Sequence, residues 1–340
     1  MTPVEMCEES ELSELSPPVK DRASVNNLPK LMKAAVVDAP GPANVLQLKD
    51  APLPSLPRNH VLIALEYAGV GIWDAEQRAG SFGKIKPGTI LGADGSGTIA
   101  AVGSDVSGFS VGDRVYSYSY GNSGGGFYAE YVSVPAERVG LVPTQMKTAI
   151  AGGMPCVALT AQSGLEVLKV KKGQTLLVFG SSGGVGSLGV WLGNEKGATV
   201  IGTARPDAQD YVRSLGAAHA IDANSSEHES VIKRVAPAGF DVCLVTTSGD
   251  KLPDFLKHLK DKAPLAYPNG VEPAPSLHGH PALACDGEMS RAAIDRLNAA
   301  IGSKTIPLRT QVFPLSAVVE AHKRIEQGHV VGKMVLAIRE

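Results

Sequence analysis

Cysteine is scarce and scattered in this chain. Cys7, Cys156, Cys243 and Cys285 lie far apart and form no C-x-x-C pair. That spacing argues against a disulfide framework or a cysteine-built structural zinc site, and fits reduced thiols in a cytoplasmic compartment. Charge is also sparse, at 19% of residues, and nearly balanced at a net −2. Without a basic block, nucleic-acid binding is not the expected activity. Long apolar runs are missing too. The charge-free stretch Thr148 to Leu165 is broken by Gly152, Gly153, Pro155, Gln162 and Ser163. It suits a buried core segment better than a membrane span. The first thirty residues hold six acids against three bases, with Pro17-Pro18 among them. A secretory signal needs a basic start and an apolar run. Residues 1–30 are therefore expected to be a disordered extension.

Glycine is what the chain has in plenty. There are 38 in 340 residues, against a usual ~7%. Six fall in residues 92–112, four in 121–126 and six in 180–193. They sit among periodic apolar segments. They imply tight turns, and backbone that approaches a ligand closely.

The texture of the chain changes near residue 145. Before it, short strands are expected at Lys33–Asp38, around Val61–Tyr67, and at Ser96–Gly103, Arg114–Tyr118 and Tyr128–Pro135. Val61, Ile63, Leu65 and Tyr67 alternate with Leu62, Ala64 and Glu66, as in a strand with one core-facing side. Many short strands at such spacing suggest a barrel or sandwich. After residue 145, strands at Thr175–Phe179, Ala198–Ala204, His219–Asp222, Asp241–Thr246 and Ala263–Tyr267 alternate with helices. The helices end at Lys196, or span Pro206–Leu215, Glu227–Ala236 and Lys251–Lys260. Strict βαβα alternation requires a parallel, doubly wound sheet. Two further helices, near Ser290–Ile301 and Leu315–Gln327, precede a last strand at Gly332–Ile338 that is expected to return to the first domain.

Gly180-Ser181-Ser182-Gly183-Gly184-Val185-Gly186 lies between an expected strand and an expected helix. In a dinucleotide site the first glycine makes the turn, the second admits the pyrophosphate, and the third lets helix and sheet pack closely. The phosphates then face the positive end of the helix dipole. The same residues match G-x-S-x-G, the nucleophile elbow of a serine hydrolase, with Ser182 as nucleophile. Against that reading, a long β-rich segment precedes the turn and no His-Gly-Gly oxyanion segment occurs. A P-loop is excluded because no Gly-Lys-Ser/Thr follows. An NAD site places an acid near the end of the second strand. Here Gly202-Thr203-Ala204-Arg205 carries none, and Arg205 can meet a 2′-phosphate, so NADP(H) is favoured.

Leu91-Gly92-Ala93-Asp94-Gly95-Ser96-Gly97-Thr98-Ile99, then Val102-Gly103, then Val111-Gly112-Asp113-Arg114-Val115, resembles the catalytic-domain signature of medium-chain dehydrogenases/reductases. The glycine turn, Leu215-Gly216-Ala217 and Gly328-His329-Val330-Val331-Gly332-Lys333 are similar to the zinc-independent quinone oxidoreductase (zeta-crystallin-like) branch. The resemblance implies an α/β protein: a GroES-like β-barrel catalytic domain over 31–150, completed by 303–340, and a Rossmann doubly wound parallel-sheet domain over 151–302. It further implies a homodimer, a small-molecule quinone or enone as substrate, and no membrane partner.

The same resemblance carries residue roles. Zinc-dependent relatives have Cys where Gly71 stands and Gly-His-Glu where Gly92-Ala93-Asp94 stands. Cys156 matches a third ligand position but stands alone, and a catalytic zinc needs three protein ligands. No metal is expected. His278, His280, Cys285 and Asp286 form another ligand-type cluster, in an expected Pro/Gly-rich loop. Ser181, Ser182, Gly183, Gly184, Val185 and Gly186 would hold the pyrophosphate. Thr203, Ala204 and Arg205 would face the adenosine side. Thr160, Thr246, Thr247, Tyr267, Pro268 and Asn269 would line the nicotinamide half, and Lys333 would close over the cofactor. Asp74 and Trp73 are the catalytic candidates, for orientation and pocket shape. Quinone reductases usually have Asn where Gly71 stands, and enoyl reductases often place a Tyr where Ser81-Phe82 follows. Neither donor is present. The expected activity is NADPH-dependent reduction of a quinone or α,β-unsaturated carbonyl. The alternative is an NADPH-binding structural or adaptor protein without turnover.

Overall fold

The structure is a computed structural model and describes residues 28–339. The expected extension falls, up to residue 27, outside the described residues, as does Cys7.

Sixteen strands and nine α-helices are present among the described residues. The first part is almost wholly β. Strands β1 (Leu31–Val37), β2 (Gln47–Pro52) and β4 (Thr89–Ile90) form a small antiparallel sheet. A second sheet is built on β3 (His60–Val70), which pairs antiparallel with β5 (Asp94–Val102) and β7 (Tyr131–Pro135). Strand β6 (Arg114–Tyr118) then joins β5 to β8 (Val139–Leu141). The alternation read for β3 is only half the picture. Leu62 is as buried as Val61, Ile63 and Leu65, because both faces of this central strand are covered. The chain's last strand, β16 (Lys333–Ala337), runs antiparallel to β3, and β15 (Thr310–Pro314) flanks it in parallel. The expected return of the C-terminal strand is thus what the structure has.

The later half holds a six-stranded, all-parallel sheet. Its strands are β9 (Thr175–Phe179), β10 (Thr199–Thr203), β11 (His219–Ile221), β12 (Val242–Val245), β13 (Leu265–Pro268) and β14 (Ala282–Cys285). They lie in the order β11-β10-β9-β12-β13-β14. This is the 3-2-1-4-5-6 order of dinucleotide-binding sheets, with the switch point between β9 and β12. Strand β9 reads Thr-Leu-Leu-Val-Phe, a continuous apolar run, as a strand covered on both faces must. Leu176 and Val178 pack into one core with Leu188 and Leu192, while Leu177 and Phe179 pack into another with Phe255.

The charge-free stretch Thr148–Leu165 is the buried segment expected, folded as two helices, α2 (Thr148–Gly153) and α3 (Pro155–Val167), broken at Pro155. Both are buried nearly all round, so no polar face marks them in the sequence. Three expectations need correction. The segment holding His280 and Cys285 contains strand β14, so it is not simply a loop. The expected Lys251–Lys260 helix shrinks to α7 (Leu252–Leu256). The helix expected over Pro206–Leu215 starts with a 3-10 turn at Pro206–Ala208 before α5 (Gln209–Ser214). No helix among the described residues is long and apolar enough to cross a membrane.

Candidate functional site

The turn after β9 is set by glycine geometry. Gly180 has φ +87°, and a Cβ there would come 2.6 Å from Thr247 and 2.7 Å from Thr246. Its N–H donates to Thr203 Oγ1 at 2.8 Å, tying the turn to the end of β10. A Cβ on Gly186 would sit 2.1 Å from the Gly180 carbonyl oxygen, so helix and turn touch backbone to backbone. A Cβ on Gly183 would meet nothing nearer than 3.9 Å. Gly183 opens helix α4 (Gly184–Glu195) without any side-chain cap. The first N–H groups of a helix have no partner inside it. Here they face a cleft, beside a residue that leaves room for an anion. The residues therefore fit a bound pyrophosphate, with the three glycines in the turn, approach and packing roles.

That cleft has a volume of about 410 Å³. One wall is the cradle Ser182, Gly183, Gly184, Val185 and Gly186, with Thr246 and Thr247 from the end of β12. The other wall is Gly71 and Trp73 at the start of α1 (Ile72–Ala79), with Lys333 from β16 and Glu326 from α9 (Val318–Glu326). Of the residues expected from sequence, Trp73, Ser182 to Gly186, Thr246, Thr247 and Lys333 come together here. Ser181 lies beneath the cradle, fully buried, and its hydroxyl donates to the Thr203 carbonyl at 2.8 Å. Thr203 and Ala204 are buried at the end of β10, and half-exposed Arg205 pairs with Asp207 at 3.2 Å. Thr160 spends its hydroxyl on the Cys156 carbonyl at 2.9 Å. Tyr267 and Pro268 are half-buried at the end of β13, and exposed Asn269 bonds Asp286. Gly71, Val157, Glu326 and His329 line the cleft and were not singled out as site residues. Gly71 carried a signal as the position where relatives have Cys or Asn, and His329 through its glycine-flanked segment; Val157 and Glu326 carried none.

Residues 57–144 match the family described as alcohol dehydrogenase GroES-like domain, and residues 215–336 that of zinc-binding dehydrogenase. The chain is 30% identical over 323 residues to an NADPH-dependent alkenal/one oxidoreductase of Arabidopsis thaliana, covering 91% of this chain and 80% of that one. It is 33% identical over 215 residues to a probable quinone oxidoreductase of Leishmania amazonensis, covering 62% of this chain and 61% of that one. The quinone oxidoreductase structure from Coxiella burnetii superposes with a TM-score of 0.77 at 27% identity, over 91% of this chain and all of that one. This chain is a medium-chain dehydrogenase/reductase. It falls on the quinone oxidoreductase-like side of that superfamily, as an NAD(P)H oxidoreductase. Matching relatives are named for either nucleotide.

One matched family is described as zinc-binding, and the residues at this site bear on that. Among the described residues no three His, Cys, Asp or Glu side chains form a ligand group. At the family's ligand positions, Gly71 has no side chain, and a Cβ there would meet the Trp73 ring at 2.2 Å. Asp94 uses one oxygen to accept the Cys156 N–H at 3.0 Å. Cys156 is buried, and burial pushes its thiol well above the ordinary range. The donor set does not fit a catalytic zinc.

What the medium-chain dehydrogenase has beside the cleft instead is a buried charge cluster. Asp74 is fully buried and accepts from the Gly71 N–H at 2.8 Å and the Tyr128 hydroxyl at 3.1 Å. It fastens the first turn of α1 and is not part of the cleft surface. The Lys333 ammonium is buried as well, donates to the Val70 carbonyl at 3.0 Å, and lies 4.6 Å from the Trp73 ring centroid. Burial raises the Asp74 carboxyl to about 7 and that of Asp94 to about 6, against the pull of Lys333. An acid that holds its proton more tightly when folded loses stability on ionisation. The Asp74 contribution therefore falls as pH rises from about 4 to about 7. Buried His322, pushed down to about 3, acts oppositely, adding stability between about 3 and 6.5. Asp74→Asn should be increasingly stabilised relative to the parent from pH 5 to pH 8. Melting temperatures of both proteins across that range check this; a constant difference contradicts it.

Proposed function

We propose that this protein is an NADPH-dependent reductase that transfers hydride to a quinone or α,β-unsaturated carbonyl without zinc. On this reading, residues 31–150 and 303–340 form the acceptor-binding unit and 151–302 the nucleotide-binding unit. The observation that carries it is the pairing of the two cleft walls. A glycine cradle fit for a pyrophosphate faces Gly71 and Trp73, which offer no metal ligand. Without a Lewis acid, simple alcohol–ketone interconversion loses its usual activation. Conjugated acceptors need less help, because the charge left by hydride addition spreads into an enolate. The bound reduced nicotinamide supplies the hydride, and the protein supplies orientation and exclusion of water.

The phosphate preference rests on Arg205. No acid stands at the end of β10 to accept from a ribose 2′-hydroxyl. The Arg205–Asp207 pair is exposed on both sides, and such pairs contribute only ~0–1 kcal/mol, so a 2′-phosphate can take the guanidinium over. Arg205→Ala should weaken NADPH binding about tenfold, one charge-assisted hydrogen bond's worth, and leave NADH binding unchanged. Thermal shifts with each nucleotide check this, and an unaltered preference would remove the phosphate argument.

A further inference from the structure

A second cavity lies one turn along α1 from the nucleotide cleft. Trp73 lines the cleft, and Gln77, a helical turn further on, lines this cavity. Its volume is about 540 Å³, within the usual range of small-molecule sites. The walls are the segment between α1 and β5 and the loop after β6. Both walls are pinned. Asn122 Nδ2 donates to the Gly125 carbonyl at 2.8 Å and to the Ser133 carbonyl at 2.9 Å. The Thr89 hydroxyl donates to the Lys86 carbonyl at 2.7 Å, and the Gly88 N–H to Asp38 at 2.9 Å. The loop of the second wall starts on the nicotinamide side of the cleft. A Cβ on Gly287 would lie 3.1 Å from both Thr160 Oγ1 and Tyr118 Cε1, and Tyr120, two residues on, lines the cavity.

Two features of the lining select a ligand. Phe82 and Tyr120 meet edge to face, with ring centroids 6.3 Å apart, and Phe82 is 57% exposed. They offer an apolar aromatic surface to a planar conjugated group. Lys84 and Lys86 line the cavity as well, and no Asp or Glu does. Among the described residues neither lysine is paired with a carboxylate, whereas Lys33 and Lys49 of the small sheet pair with Asp50 and Asp38. The surrounding acids do not neutralise them. Asp38 is committed to Lys49 and the Gly88 N–H, and Asp74 to the Gly71 N–H and Tyr128. Glu76, on α1, stands on the Tyr120 side, where with burial and Asp74 it pushes the Tyr120 hydroxyl up. We infer that this cavity takes the far end of the acceptor, and that the acceptor is a conjugated carbonyl compound bearing an acidic group, held at Lys84 and Lys86 with its planar part against Phe82 and Tyr120. The inference rests on the reductase reading and names the substrate class within it. Neither lysine lines the nucleotide cleft. Their effect therefore belongs in KM for the acceptor rather than in the chemical step.

The test follows NADPH oxidation with an aryl enone bearing a carboxylate and with the same enone bearing the primary amide, beside a neutral quinone. Wild type should favour the carboxylate about tenfold in kcat/KM, what two solvent-screened ion pairs supply. That preference should shrink in roughly 1 M salt. Lys84→Gln/Lys86→Gln should bring it close to unity, through KM for the carboxylate, and Lys84→Glu/Lys86→Glu should reverse it. Lys171→Gln/Lys172→Gln, changed just before β9 at the end of the parallel sheet away from the cradle, should keep it. Equal use of carboxylate and amide by wild type, or a preference that survives Lys84→Gln/Lys86→Gln, would overturn the inference and leave the reductase reading standing. Turnover of the quinone with neither enone accepted would do the same. If wild type turns over no acceptor at all, the reductase reading fails and the inference falls with it.

Discussion

Gly183→Val should weaken nucleotide binding about 10- to 100-fold and leave the melting temperature nearly unchanged, whereas Gly186→Ala should lower stability itself. The two glycines are three residues apart in one turn, and their surroundings are opposite. Gly183 has extended backbone, φ −77° and ψ 178°, which any residue adopts. Its added Cβ points into open cleft. A branched side chain there costs the fold little, but occupies the space a pyrophosphate needs above the N–H groups of α4. One or two charge-assisted hydrogen bonds would be lost, at about 1.5–3 kcal/mol in all, hence the factor stated. At Gly186 the added carbon would stand 2.1 Å from the Gly180 carbonyl oxygen and 2.8 Å from Ser181 Cα. Those are backbone atoms with no rotamer to escape into. Helix α4 must shift off β9, at a cost of about 3 kcal/mol or more. Nucleotide binding and unfolding of both variants separate the two effects. Equal behaviour of the pair would mean that Gly183 does not face the phosphates.

Arg78→Met should destabilise the protein by about 1–3 kcal/mol, the cost of leaving its buried hydrogen-bond partners unsatisfied, since its acid partner Glu326 is 40% exposed and is taken up by water. Arg78 is 1% exposed, the bulkiest of the fully buried side chains. Its Nε donates to the Gly41 carbonyl at 3.0 Å, its Nη1 meets His322 Nδ1 at 3.1 Å, and its Nη2 pairs with Glu326. One side chain thus joins α1, α9 and the turn after β1. Both helices it joins contribute to the cleft wall, through Trp73 and Glu326. His322 stacks edge-on against Tyr128, which bonds Asp74, so the network runs back to the first turn of α1. Chemical denaturation of Arg78→Met measures the loss. A change below ~1 kcal/mol would show that the network is dispensable.

The parts of the fold that could be read from the sequence are those with a period or a punctuation mark. Strands β6 and β9 fall where their apolar runs placed them, at Arg114–Tyr118 and Thr175–Phe179, because turn residues bound them on both sides. Helix α8 (Arg291–Ile301) begins after Ser290, whose hydroxyl accepts the Ala293 N–H as an N-cap should. Helices α2 and α3 were invisible as helices. A helix buried on all sides has no amphipathic stripe, and Gly152 and Gly153 read as breakers. They are glycine for packing: a Cβ on Gly152 would reach Tyr67 Cβ at 2.3 Å, and one on Gly153 would reach Val335 at 2.6 Å. Strand β14 was missed because only one of its four residues, Cys285, is buried.

The cleft divides along the same line. The cradle is local in sequence, seven consecutive residues between a strand and a helix, so it was legible. The opposite wall is assembled from residues in 71–73 and 326–333, far apart in the chain, with the buried acids behind it. Sequence could name Trp73, Asp74 and Lys333, yet it could not say that Asp74 fastens a helix start while Trp73 and Lys333 stack against each other. Those facts depend on β3 and β16 lying side by side, a pairing across more than 260 residues.

The central claim is that a nucleotide cradle and a metal-free wall make a hydride-transfer site for conjugated acceptors. The most direct measurement is NADPH oxidation by the purified protein with a panel of enones and quinones, repeated after dialysis against a zinc chelator. The account predicts turnover of at least one conjugated acceptor, unchanged by the chelator, with simple ketones unreactive. Tight NADPH binding with no turnover of any acceptor would contradict it, and would leave a nucleotide-binding protein with a structural or adaptor role.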